Sequence, residues 1–211
     1  MTTTAVTSLE QLEELVGTPS YRAANKVHTV LHPLHIDWLN ASPFCILATA
    51  DEHGRCDASP KGDPAGQLVR VLDERTIALA ERPGNRRVDG YRNVVVNPHA
   101  GLNFFVPGRG DTLRINGRAT LVSDAPFFDD LIVKRHRPIL ALVVDIEEIF
   151  FHCAKAFMRS KLWQPDTWNP DALPSVAAIS KAMIPDGPET LQELEQYYGP
   201  SYAEQLYTPG R

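Results

Sequence analysis

The sequence predicts a mainly β chain, a small antiparallel barrel with helices around it. Three observations point there. Residues 111–122, "DTLRINGRATLV", alternate: Leu113, Ile115, Gly117, Ala119 and Leu121 point one way, Arg114, Asn116, Arg118 and Thr120 the other. That is the period of a strand with one buried face. Residues 138–151, "PILALVVDIEEIFF", open with a nearly unbroken β-rich run. A strand apolar on both faces must be covered on both, inside a barrel or under a second subunit. Finally, the strand-like pieces mostly follow one another across short connections, with no βαβ alternation and no internal repeat. Closing such a set removes exposed edges.

Taken in order, the chain begins with a helical period from Ser8 to about Val16, where leucines stand at 9, 12 and 15 among glutamates. A second helix starts at Pro33 and carries Leu34, Trp38 and Leu39 on one side. "FCILATA", the turn-like "DEHGR" and "CDASPKGD" then read as one hairpin, and "QLVRVL", "DER" and "TIALAE" as another. Residues 87–97 form a short helix with Val88, Tyr91 and Val95 on one face, Asn85 as its N-cap and Asn97-Pro98 as its stop. Gly90 inside it costs about 1 kcal/mol against alanine, so docking must hold the helix in place.

"HAGLNFFV" and the alternating strand follow, joined by "PGRG". "APFFDDLIVKRHR" reads as a helix whose end is complemented by Lys134, Arg135, His136 and Arg137. The count comes to six or so strands. "CAKAFMRSKLW" reads as a further helix, and a proline-rich tail carries a last one near Leu191 to Tyr198. Three parts are expected: a helical segment over 1–40 packing on the barrel, the barrel domain over 41–165, and an extension over 166–211.

Composition is that of an ordinary globular chain, 43% hydrophobic and 22% charged over 211 residues. A net charge of −5 argues against a general nucleic-acid or anionic-membrane binder. The first residues lack the basic and apolar regions of a signal peptide, and no apolar run approaches the roughly 18 residues that span a bilayer. Cys45, Cys56 and Cys153 form no Cys-x-x-Cys pair. They read as reduced thiols, so the expected location is the cytoplasm. Gly-x-Ser-x-Gly, phosphate-loop and strand-linked Gly-x-Gly-x-x-Gly motifs are missing, which leaves hydrolase and Rossmann readings without support.

Four groups could carry chemistry. His28, His32 and His35 suggest a metal face, but Pro33 interrupts the spacing and no carboxylate completes a set, so no metal is expected. Cys153, at a helix start near Lys155, is either a reactive thiolate or a packing cysteine. Arg82, Arg86, Arg87 and Arg92 lie within eleven residues, with Asn85 and Asn93 among them. They are either a solvated charged face or an anion site, because a helix N-terminus and forked guanidinium donors both favour phosphate. Further basic spots are Lys61, in "SPKGD" with Gly62 and Asp63, and Lys155 with Arg159, four apart on one helix face.

"CDASPKGD", "ERPGNRRVDGYRN", "FVPGRGDTLRINGRA" and "HCAKAFMRSKLW" resemble the flavin-binding split-barrel proteins related to pyridoxamine 5′-phosphate oxidase, over about residues 40 to 165. The nearest likeness is to a bacterial branch of FMN-dependent enzymes. The resemblance implies a homodimer of six-stranded antiparallel split barrels with flanking helices and two FMN sites between subunits. Carried over by position, Arg86 and Arg87 would hold the FMN phosphate, with Asn85 and Arg82 shaping the turn. Lys61, Gly62 and Asp63 would line the ring or ribityl chain. Arg92 and Asn93 lie further along the helix, and Lys155, Arg159 and Ser160 would reach in from the other subunit.

The expected function is an FMN-dependent oxidoreductase passing hydride or electrons between a small substrate and flavin N5, recharged by NAD(P)H or another reductant. The C-terminal segment of pyridoxamine phosphate oxidases is replaced here, so oxidation of pyridoxamine phosphate itself is not expected. Two alternatives stay open. One is a protein that stores or senses FMN without turnover. The other is the same barrel with a deazaflavin or with haem, for which His99 and His152 are the residue type required.

Overall fold

The computed structural model describes residues 3–208. Three helices come first: α1 (Leu9–Val16), α2 (Tyr21–Ala24) and α3 (Pro33–Ala41). The strands are β1 (Phe44–Ala50), β2 (Cys56–Gly62), β3 (Val69–Val71), β4 (Thr76–Ala80), β5 (His99–Phe105), β6 (Thr112–Val122) and β7 (Ala141–His152). Helix α4 (Asp89–Val96) interrupts them between β4 and β5, and α5 (Lys155–Ser160), α6 (Val176–Met183) and α7 (Leu191–Tyr197) follow.

The strands make one antiparallel sheet in the order β2-β1-β5-β6-β7-β4-β3. It has seven strands where six or so were expected, and the shortest, β3, has three residues. The alternation read along 112–122 is the one observed: Leu113, Ile115 and Ala119 are buried in the main core, which also takes Leu47, Leu102, Phe104 and Ile149. Between Asn116 and Gly117 the β6–β7 register shifts by a bulge. A Cβ at Gly117 would stand 2.1 Å from the Asp145 carbonyl oxygen, so only glycine fits there.

Two helical expectations are corrected. The stretch from Ala125 makes only a 3-10 turn over Pro126–Leu131. Beyond it the chain folds back through Lys134 and Arg135, both with left-handed φ (47° and 70°), and a bridge joins Val133 to His136. The basic run therefore caps no helix. Arg137 instead donates to Asp124 and Asp129, at 2.8 Å each. The second correction concerns α4, which starts at Asp89 with Val88 as N-cap and no side-chain cap. Asn85 Oδ1 accepts the Arg87 N–H at 2.9 Å instead, forming an Asx turn ahead of the helix.

The buried face of α4 is Gly90, Tyr91 and Val94, while Val95 is 73% exposed. The helix meets the sheet three residues on from Tyr91, not four. Gly90 is what lets it lie close. A Cβ there would come 2.9 Å from Asp57 Oδ2 and 3.4 Å from Thr49 Oγ1.

Helix α3 buries His35, Trp38 and Leu39, while Leu34 is exposed. Helix α1 keeps its predicted leucines in solvent and buries no residue. No helix among the described residues is long and apolar enough to cross a membrane.

Candidate functional site

The loop from Arg82 to Val88 joins β4 to α4 and separates two cavities. The first, of about 210 Å³, lies between β2 and the start of α4. Its walls are Asp57, Ser59 and Lys61 from β2, Glu81, then Asn85 and Arg87 from the loop, and Gly90 and Tyr91 from α4. The second, of about 400 Å³, lies on the other side, between the loop and residues 136–140. Arg82 and Arg86 line it with Arg137, His136, Leu140 and Tyr207. Adjacent arginines thus serve different cavities. Arg86 has φ 62°, in the left-handed region, and stands where the chain turns between them.

In the first cavity charges are mixed. Lys61 Nζ is 3.4 Å from Glu81 Oε2 and 4.4 Å from the centre of the Tyr91 ring. Arg87 Nε donates to Asp89, a bond that raises the guanidinium pKa further. Burial pushes the Tyr91 phenol well above its ordinary range, and the charge of Glu81 pushes the same way. Asp57 Oδ2 is buried and has no hydrogen-bond partner. A buried acceptor left in that state costs roughly 1–3 kcal/mol, which any donor reaching it, from water or a ligand, relieves.

Between the cavities runs a buried ion pair. Arg82 Nε donates to Asp63 Oδ2 at 2.7 Å, with side chains 13% and 2% exposed. It ties the end of β2 to the start of the arginine loop. Tyr207 Oη donates to the other Asp63 oxygen at 2.8 Å. Arg82 Nη2 is buried without a partner.

The residues expected at the site are placed as follows. Lys61, Asn85 and Arg87 come together on the first cavity; Gly62 and Asp63 continue the same strand end. Arg82 and Arg86 belong to the second. Arg92 is exposed on α4, and Asn93 donates to Thr49 Oγ1 at 3.1 Å beneath the helix. Lys155, Arg159 and Ser160 sit on α5, away from both cavities. That helix is held by Phe157 against Phe105 and Trp163, with ring centres 5.8 and 5.9 Å apart. Cys153 is exposed beside it.

The histidines have structural partners. His35 Nδ1 accepts the His32 N–H at 3.1 Å and His32 Nδ1 accepts the Leu34 N–H at 3.2 Å, which caps α3. Burial, then His28 and His32, lowers the His35 pKa. His99 shares a 2.7 Å hydrogen bond with Asn97, and burial, then Arg114, lowers the His152 pKa.

Sequence reasoning missed Asp57, Glu81, His136, Arg137 and Tyr207 as lining residues. Asp57 and Glu81 lie inside motifs already singled out, Asp57 in β2 and Glu81 just after β4, and that place beside the basic residues was the available signal. Tyr207 gave none, being 144 residues from its partner Asp63.

Among solved structures, a candidate pyridoxamine 5′-phosphate oxidase from Lactobacillus delbrueckii is 22% identical, with TM-score 0.47, covering 59% of this chain and 98% of that one. HupZ of Group A Streptococcus is 20% identical, with TM-score 0.46, covering 57% and 93%. An F420 reductase is 17% identical, with TM-score 0.40, covering 55% and 94%. No curated protein matches the chain. A family model described as pyridoxamine 5′-phosphate oxidase matches residues 31–153, the whole span from the start of α3 to the end of β7. The chain belongs to the pyridoxamine 5′-phosphate oxidase family.

Proposed function

We propose that the chain is an FMN-dependent oxidoreductase acting on a small molecule, with a site completed between two copies of the chain. The observation that carries this is the meeting of Lys61 and Arg87 on one cavity at the head of α4, from elements far apart in sequence. To hold a dianionic phosphate the two cations exchange their present carboxylate partners, Asp89 for Arg87 and Glu81 for Lys61, Arg87 offering forked donors and Lys61 a point charge. Asp57 Oδ2 and Ser59 supply the acceptor and hydroxyl that a polyhydroxylated chain needs. At about 210 Å³ this cavity is below the roughly 300–1,000 Å³ of an enclosed small-molecule site. One chain therefore grips one end of the cofactor, and a second copy provides the remaining wall with Lys155, Arg159 and Ser160.

FMN, when bound, supplies two-electron transfer, with NAD(P)H or a comparable reductant as donor. The chain's own part is to bind and orient. Lys61, held between Glu81 and the Tyr91 ring, keeps a positive charge at the cavity wall. Tyr91, its phenol pushed up by burial, stays neutral and can donate a hydrogen bond at neutral pH.

The visible spectrum of the purified protein, with the released chromophore identified by mass, tests the cofactor. Arg87→Ala should weaken FMN about tenfold to a hundredfold, the loss of one or two charge-assisted hydrogen bonds. Unchanged affinity rejects the phosphate role. A bound flavin that no reductant and acceptor can cycle rejects the enzyme. A mixed dimer with one Lys155→Ala, Arg159→Ala chain should lose one of two flavins; losing both or neither rejects the shared site.

A further inference from the structure

The second cavity already holds an aromatic ring, that of the chain's own Tyr207. This residue follows the 3-10 turn Pro200–Gln205 near the C-terminal end and returns to the barrel across 144 residues of sequence. Its hydroxyl donates to Asp63 Oδ1 at 2.8 Å. The ring meets Arg82 and Lys134, with Cζ and Nζ 5.8 and 5.4 Å from its centre. His136 stacks on it at 6.0 Å with planes 20° apart. Four residues from three separate stretches thus surround one phenol.

Each contact selects for the same chemistry. Asp63 is almost wholly buried, and a carboxylate so far from water needs donors on both oxygens. Arg82 serves one and the Tyr207 hydroxyl the other. Cations within about 6 Å of a ring centre favour an electron-rich π face over an aliphatic group. A carboxylate in place of the hydroxyl would face Asp63 and be repelled. Beside the ring the cavity keeps about 400 Å³, walled by Pro83, Val88, Pro138, Ile139 and Leu140. That is more room than one phenol needs. Arg82 Nη2, buried without a partner, offers one further donor at the same place.

We propose that this cavity is a receptor site for a hydroxylated aromatic ligand, and that Tyr207 is a built-in occupant which such a ligand displaces. The site takes a neutral phenol-type O–H at Asp63, the ring among Arg82, Lys134 and His136, and apolar substituents against Ile139 and Leu140. Tethering gives Tyr207 an effective concentration on the order of millimolar, so a free ligand must gain from the apolar wall what the tail gains from its tether. Burial, then the bond to Asp63, pushes the Tyr207 phenol up, which keeps it protonated and donating at neutral pH.

The test is chemical rescue with p-cresol, the free counterpart of the tyrosine side chain, followed by the broadening of its own proton NMR signals. The full chain is used, flavin-free and again with added FMN. Tyr207→Ala should bind p-cresol at least about tenfold more tightly than the wild type, and about tenfold more tightly than it binds toluene. Tyr207→Leu, which keeps apolar bulk at the position, should show the same preference for p-cresol over toluene if the alanine variant folds poorly. Equal binding to wild type and variants, no binding to either variant, or no preference over toluene overturns the proposal. Agreement between flavin-free and FMN-supplemented protein separates this result from the flavin reading, which stands or falls on the spectrum.

Discussion

Two cavities share the loop from Arg82 to Val88, and they differ in kind. The one toward β2 is small and mixes Lys61 and Arg87 with Asp57 and Glu81. The one toward residues 136–140 is about twice as large and sets arginines against proline, isoleucine and leucine. Both contain one tyrosine, Tyr91 or Tyr207, in contact with one carboxylate side chain. The difference teaches how one short segment can present two surfaces. The Asx turn at Asn85 and the left-handed backbone at Arg86 send consecutive guanidinium groups to opposite sides. A run of like residues in sequence is then not one site in space.

The largest expected effect comes from removing what braces both cavities. Asp63→Ala leaves Arg82 buried and unpaired, and should destabilise the fold by about 3–5 kcal/mol in urea or guanidinium unfolding. A change below about 1 kcal/mol would mean that the two sides do not depend on this pair.

Phenylalanine substitutions at the two tyrosines come next, at about 1–2 kcal/mol each, because each hydroxyl is bonded to or faces a carboxylate. They also differ with pH. Both phenols are raised above their ordinary value of 10, so above that pH the unfolded chain gives up the proton first. Stability is full below pH 10 and falls as pH rises beyond it. Tyr91→Phe should flatten the alkaline loss more than Tyr207→Phe, since Tyr91 is the more strongly shifted. Thermal melts between pH 8 and 11 would show it, and identical curves for the two variants would erase the distinction.

The smallest effect on stability tests the polar side alone. Gly90→Ala puts a methyl 2.9 Å from Asp57 Oδ2, a movable side-chain end. Gly90 is the second residue of α4, so the propensity gain is less than the roughly 1 kcal/mol of a helix interior; it offsets part of the crowding, and the melting temperature falls only slightly. FMN affinity should still fall, while p-cresol binding in the second cavity, read in the Tyr207→Ala background, holds. Loss of both would mean the cavities are one.

Much of the frame was legible in the sequence, for identifiable reasons. Strand β6 alternates because one of its faces meets the core along its whole length, and such a period survives any tertiary detail. Helix α3 was legible from Pro33. The run from Pro126 to Arg137 was not, because its apolar residues suit a helix as well as a 3-10 turn, and the Val133–His136 bridge that decides between them is a tertiary outcome. At the site, Lys61, Asn85 and Arg87 could be named from motif and charge. Their division from Arg82 and Arg86 rests on one φ angle at Arg86, which composition does not encode. Tyr207 was beyond reach, since nothing local marks a tail residue that bonds to the far end of β2.

The ends of the sheet carry one more consequence. Strand β3 is three residues long, and β2, at the opposite margin, contains Pro60 followed by Lys61. A proline has no N–H to offer, and a three-residue strand gives little ladder to extend. Neither margin is a template for adding a strand from a neighbouring molecule. Whatever docks beside the cavities must do so face-on, through side chains, which leaves recognition open to specificity and closed to runaway stacking.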